Sequence, residues 1–232
     1  MTDIIAHMDW SPLYITLKTG LISTCIIFFI GTAAAYGAMR LPERARWIAD
    51  SVLTMPLVLP PTAAGYLLLL LFSLNRPLGR MLFDEFGIKL VQTQLGCITA
   101  AAVIAFPLMY RSARAAFEQT DVNLIYAGRT LGMSESSIFF KVILPNAAPG
   151  LYSGGILSFA RAIGEYGATS MLAGNILGKT RTMAIAVAAE TAGGNYAAAG
   201  IWVSVIIITA FIVVLAANMI TGKGMKSSVR WK

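Results

Sequence analysis

Long apolar runs alternate with short polar, basic segments along most of this chain. The runs lie near 13–39, 52–74, 93–110, 147–172 and 197–220. Each approaches or exceeds the roughly 20 apolar residues that carry a helix across a bilayer. They predict five membrane helices and leave no stretch for a separate soluble domain. A different pattern fills 121–146, between the third and fourth runs. Leu124, Ile125, Ala127 and Leu131 recur at helical spacing, with Asn123 and Arg129 among them. Gly132 follows, where a helix ends in a left-handed turn at little steric cost. Ser134 then occupies an N-cap position ahead of Ile138, Phe139 and Val142, and the second pattern closes at Pro145. Both pieces are too short to span a membrane. The pattern alone leaves two readings open: a helix–turn–helix held at the membrane surface to dock a partner, or an ordinary surface loop.

Composition agrees with the membrane reading. Mean hydropathy is +0.71, and charged residues make up 12% of the chain, about half the share usual for a soluble domain. Cys25 and Cys97 fall in or beside apolar runs, lack metal-type spacing, and read as small buried hydrophobes. The residues ahead of the first run include Asp3 and Asp9, whereas a signal peptide starts basic. The first run therefore reads as a retained helix. His7 is the sole histidine, which argues against metalloprotease or histidine-relay chemistry.

The charge distribution predicts orientation. Eleven basic residues fall in three segments: Arg40, Arg44 and Arg46; Arg111, Arg114, Arg129 and Lys141; Lys223, Lys226, Arg230 and Lys232. The alternate segments hold five: Arg76, Arg80, Lys89, Lys179 and Arg181. Basic loops stay in the cytoplasm, so the N-terminus is expected outside, and the hairpin and C-terminus inside. The net charge of +7 then reflects topology and contact with anionic lipid. Scattered basic residues without aromatic interleaving do not suit nucleic acid.

Three motifs invite chemistry. Gly174 to Thr180 reads like a phosphate loop but is one residue short; it is expected to be an exposed turn carrying Lys179 and Arg181 toward an external partner or anion. Pro56, Pro60 and Pro61 cannot sit in one unbroken helix. They predict either a bend of packing origin or a hinge lining a pathway. Arg161 and Glu165 are four residues apart, on one helical face of the fourth run. Charges there must pair or face water, so the two either bind one another or line a polar path or subunit seam, with Thr169 and Ser170 extending the polar content. Gly150 and Gly154 form a Gly-x-x-x-Gly step suited to close helix approach. An intramembrane enzyme would need a nucleophile or paired acids, and only Glu165 offers an acid at that depth. A stand-alone secondary transporter would show internal repeats, and none is evident.

The hairpin resembles the coupling motif of ABC importer permeases: Glu-Ala-Ala, three residues, Gly, nine residues, then Ile-x-Leu-Pro. Tyr126, Ala127 and Gly128 stand for Glu-Ala-Ala, Gly132 for the central Gly, and Val142, Leu144 and Pro145 for Ile, Leu and Pro. The spacing matches in full; Tyr126 lacks the acid, and Gly128 is smaller than Ala. Further segments, among them M-P-L-V-L-P-P-T-A-A-G-Y, S-F-A-R-A-I-G-E-Y-G-A-T and G-K-T-R-T, resemble the molybdate, tungstate and sulfate group of this family. The resemblance implies an all-α type I permease fold in the cell inner membrane, with 1–232 forming one transmembrane domain. It implies a homodimer, two cytoplasmic ATPase subunits that hold ATP and Mg, and an extracytoplasmic binding protein delivering an oxyanion, molybdate first and tungstate, sulfate or thiosulfate as alternatives. This chain would bind no cofactor and carry no catalytic group. Small residues at 127, 128 and 132 would let the hairpin sit deep in the ATPase. Some relatives carry an extra N-terminal helix; no apolar run precedes residue 13, so none is expected here.

Overall fold

The first apolar run becomes one 29-residue helix, α1 (Ser11–Met39), opened by Pro12 in its first turn, where a missing N–H leaves no gap in the ladder. The computed structural model describes residues 8–224. Asp3, His7, Lys226, Arg230 and Lys232 lie outside the described residues.

The second run is not one helix. It divides into α2 (Glu43–Val58) and α3 (Pro61–Phe72), bent by 110°. Pro60 caps α3 and Pro61 is its first residue, while Pro56 is accommodated inside α2. The short amphipathic α4 (Pro77–Phe86) follows and ends at Gly87 in the left-handed region. The third run becomes α5 (Gln94–Glu118), about two turns longer than expected because its polar last turns pack against α2. The hairpin supplies α6 (Val122–Thr130), α7 (Glu135–Ile138) and a π-helical turn, Phe139–Ile143. The fourth run also breaks, into α8 (Leu144–Ile163) and α9 (Gly167–Ala173). Then come α10 (Met183–Ala192), too short to span, and α11 (Tyr196–Gly224).

Five full crossings are therefore not what these helices display. Among the described residues, α1, α5 and α11 are long and apolar enough to cross a membrane, and α2 with α3 makes a fourth if the bent pair is one span. The fourth run misses because α8 carries Asn146, Ser153, Ser158 and Arg161 along its 20 residues, and a charge lowers the mean hydropathy sharply.

The core forms where α1 and α8 pack on α5. Ala105, Met109, Tyr110 and Ala113 of α5 are fully buried there. The glycine step does what its spacing predicted: a Cβ at Gly150 would lie 2.6 Å from Cβ of Ala116, and one at Gly154 would lie 2.5 Å from Cβ of Ser112. Of the two cysteines, Cys97 is buried but Cys25 is exposed. The inward face of α1 there is taken by Ser23 and Ile27, so Cys25 points away from the bundle.

Contacts sort the chain into two ends. Tyr36 packs on Phe117 and Phe139, with ring centroids 5.7 and 4.4 Å apart. Asp50 of α2 accepts hydrogen bonds from the Tyr110 hydroxyl and from Arg114, the latter at 2.5 Å, and Arg114 also pairs with Glu118 at 2.8 Å. At the opposite end Lys18 donates to Gln94 at 3.2 Å, the Met183 N–H donates to the Thr16 hydroxyl at 2.8 Å, and Trp10 meets Trp202.

Candidate functional site

Each turn of the hairpin has a local cause. The Asp121 carboxylate caps α6 by accepting from the Asn123 N–H at 2.9 Å. At the other end Gly132 adopts φ +74°. Its N–H donates to the Arg129 carbonyl at 3.0 Å, and the Met133 N–H donates to the Gly128 carbonyl at 3.1 Å, the paired bonds of a Schellman stop. Ser134 caps α7 by accepting from the Ser137 N–H at 3.3 Å. Pro145 does not end the second helix. The π turn shifts the bonding register, with the Leu144 N–H reaching back to the Phe139 carbonyl, so the chain runs through Pro145 into α8 without a missing bond at that point.

The residues matching the coupling motif divide by direction. Gly128 is buried against Ile138, whose Cγ1 lies 3.1 Å from where a Cβ would stand. Its smallness therefore serves the inside of the hairpin, not an outward approach. Val142 and Leu144 are half-buried against the core, and Ile143, unmarked in the sequence, is buried between them. Tyr126, Ala127, Gly132 and Pro145 face outward. With them stand the apolar side chains of Val122, Leu124 and Leu131, the last 80% exposed. An apolar face held outward by a capped, rigid turn is what a docking element needs.

Arg129 and Glu135 clamp the two short helices at 2.7 and 3.2 Å, a pair the sequence reading missed although both lie in the hairpin. The Arg129 hydrogen bond holds the Glu135 carboxyl below the ordinary glutamate range. A depressed carboxyl supports the fold above its unfolded value, and that support is lost as pH falls through the lowered one. Both side chains are exposed, so the contribution is small. Arg129→Ala is expected to return Glu135 to an ordinary titration, read from its side-chain carbon shift by NMR, while uptake persists.

The two helix breaks meet. A Cβ at Gly167 would lie 3.0 Å from Cβ of Pro61 and from the Thr62 nitrogen. One at Gly65 would lie 2.6 Å from Cα of Ala168. Between α8 and α9, Arg161 binds one Glu165 oxygen at 2.9 Å, and the other oxygen accepts the Ala168 N–H at 2.7 Å. Glu165 is 2% exposed and Arg161 30%. Each oxygen of the carboxylate thus has a partner. Thr169 is buried. Arg161 lies about 26 Å along α8 from its hairpin end at 1.5 Å per residue, so the pair sits toward the far end of the span. Because the backbone of Ala168 cannot yield, Gly65→Ala is expected to cost ~1–3 kcal/mol by overpacking, seen as a lowered thermal midpoint of the purified protein.

The segment Gly174 to Thr180 offers no anion loop. The N–H groups of Lys179, Thr180 and Arg181 all turn onto the Ile176 carbonyl. Lys179 is exposed, but Arg181 folds back to Asn175 at 2.8 Å and toward Glu190 at 3.6 Å. Among the described residues no group of His, Cys, Asp and Glu is placed to hold a metal.

The helices and their order define an ABC importer permease fold. The chain superimposes on a chain of the MetNI methionine ABC transporter in inward-facing conformations with a TM-score of 0.72 at 16% identity, covering 91% of this chain and 94% of that one. An amino acid ABC transporter solved with histidines gives 0.66 at 18% identity, covering 92% of each chain. The chain belongs to the family of binding-protein-dependent transport system inner membrane components, which it matches over residues 27–221. It is a multi-pass inner-membrane permease and not an enzyme. It is 39% identical over 198 residues to the molybdenum transport system permease protein ModB of Escherichia coli K12, covering 84% of this chain and 86% of that protein. The putative molybdenum transport system permease protein YvgM of Bacillus subtilis is 33% identical, covering 91% and 93%. The sulfate transport system permease protein CysT of Salmonella typhimurium is 30% identical, covering 95% and 80%.

Proposed function

We propose that this chain is the pathway-forming permease of an ATP-driven oxyanion importer whose cargo is molybdate. The 39% identity to the molybdenum permease of Escherichia coli, spread over 84% of the chain, carries this reading. The 30% identity to a sulfate permease keeps sulfate as the second cargo.

The whole of 1–232 serves as one transmembrane domain, with α8 and α9 together as a crossing, for five in all. The N-terminus lies outside and the hairpin of 121–146 inside. Arg40, Arg114, Arg129 and Lys141 belong to elements at the hairpin end of the bundle, which supports that orientation through the excess of basic residues in cytoplasmic loops. Tyr126, Ala127, Gly128, Gly132, Val142, Leu144 and Pro145 form the coupling element, Gly128, Val142 and Leu144 from within and the others on its surface. Two copies assemble, each docked on a cytoplasmic ATPase subunit that holds ATP and Mg, with an extracytoplasmic binding protein above. Support for a second copy comes from α2, which buries none of its residues and exposes Trp47, Ile48, Val52, Met55 and Val58.

In this arrangement closure of the ATPases draws two hairpins together. The rigid Gly132 turn transmits the pull into α8 through the π turn. The far end of α8 carries the Arg161–Glu165 pair, and Gly167, just past the break there, packs against Pro61 and Thr62. Those two breaks are the hinge of the pathway. Uptake of labelled molybdate by cells lacking their own permease tests the cargo. Molybdate uptake competed by tungstate and little affected by sulfate is expected; uptake of sulfate alone moves the cargo to the sulfate branch.

A further inference from the structure

An apolar groove of about 570 Å³ runs along α1, walled on its other side by the π turn and α8. Phe28, Thr32, Tyr36, Phe140, Leu151 and Tyr152 line it. Arg40 stands at the mouth, its guanidinium 4.4 Å from the Tyr36 ring centre and donating to the Tyr36 hydroxyl at 2.7 Å. Among the described residues no carboxylate lies within ion-pair distance of Arg40. The Thr32 hydroxyl, buried in the wall, has no hydrogen-bond partner.

The dimensions of the groove indicate its occupant. Arg40 and Phe28 are separated by about 18 Å along α1 at 1.5 Å per residue, close to half of the ~30 Å hydrocarbon core. The groove is one leaflet deep, with a cation at headgroup level and aromatic rings along the acyl region. We propose that it holds an acyl chain of an anionic phospholipid from the cytoplasmic leaflet, with the phosphate on Arg40. The leaflet, though not the fit, rests on the orientation proposed above. Because the π turn is one wall, the lipid braces the root of the coupling hairpin against α1.

The test uses the full chain with its ATPase in nanodiscs of equal phosphatidylglycerol and phosphatidylcholine, followed by delipidation and native mass spectrometry. Retention of phosphatidylglycerol over phosphatidylcholine is expected. Gly37→Leu is expected to abolish retention, since a side chain at Gly37, on the groove wall, grows into open space on an exposed helical turn and leaves the fold intact. Arg40→Gln is expected to keep lipid but to lower the anionic preference about fivefold, the share of one surface cation. Equal retention of both lipids by the unsubstituted chain, or full retention by Gly37→Leu, overturns the proposal. So does a disulfide between two copies carrying Gly37→Cys, which assigns the groove to a second protein chain. No cargo enters this assay, so its failure is separate from failure of the transport reading; labelling of Ser134→Cys from the cytoplasmic side checks the leaflet.

Discussion

Arg161→Ala is expected to destabilise the permease by ~3 kcal/mol and to reduce uptake strongly, because it leaves a buried carboxylate without its counter-charge. The figure stands at the low end of the range for buried pairs, since Arg161 retains 30% exposure and Glu165 keeps the Ala168 N–H. Removing both partners is expected to recover part of the loss, as the double change removes the uncompensated charge. Glu165→Gln separates the two jobs of the carboxylate. It still accepts from Ala168, so the start of α9 holds, and it loses only the charge. The order of thermal midpoints is therefore expected to be unsubstituted chain, Glu165→Gln, double alanine, Arg161→Ala. Additive losses in the double mutant would mean that the two residues act independently and that the pair is not the joint between α8 and α9.

Gly132→Val is expected to lower coupled uptake about tenfold, the factor that corresponds to ~1.4 kcal/mol. At φ +74° a side chain meets the following carbonyl, costing ~1–2 kcal/mol, and a β-branched one fits worst. Nothing lies within 4 Å of a Cβ at this position, so backbone conformation and not crowding sets the penalty. Asparagine tolerates the left-handed region better than alanine. The series Gly, Asn, Ala, Val is therefore expected to fall in that order, both in uptake and in co-purification with the ATPase, while membrane insertion stays constant. Normal co-purification of the valine variant would mean that the turn yields without loss and does not govern docking.

The sequence revealed most where one residue dictates a local conformation. Gly132 and Ser134 mark the end of one helix and the start of the next, because positive φ and an N-cap oxygen are local demands. Pro60 and Pro61 likewise announced a break, though not its 110° angle. The fourth run misled for the opposite reason. Its one proline, Pro149, sits near the start of α8 and does not break it, and the break at Gly164–Tyr166 is held by the Glu165 carboxylate reaching the Ala168 N–H, a bond invisible to hydropathy. Pro145 read as a terminator because the register shift of a π turn leaves no trace in apolar spacing. Arg114 was legible only as one basic residue among those that set orientation, whereas its pairing with Asp50 in α2 arises only when helices distant in the chain pack together. The apolar outer face of the hairpin shows the same limit. Leu131 looked like one more apolar position on a short helix, and only its exposure in the fold makes it part of a surface.

The central claim is that this chain passes an oxyanion when an ATPase pulls on the hairpin. It is tested most directly by reconstituting the permease with its ATPase in proteoliposomes and measuring ATP hydrolysis with the binding protein loaded in turn with molybdate, tungstate, sulfate or no cargo. Hydrolysis stimulated most by the molybdate-loaded binding protein, with molybdate accumulating in the compartment that holds ATP and with both effects lost in Gly132→Val, is the predicted result. Hydrolysis that is indifferent to every oxyanion, in a complex that nonetheless assembles, would contradict the account.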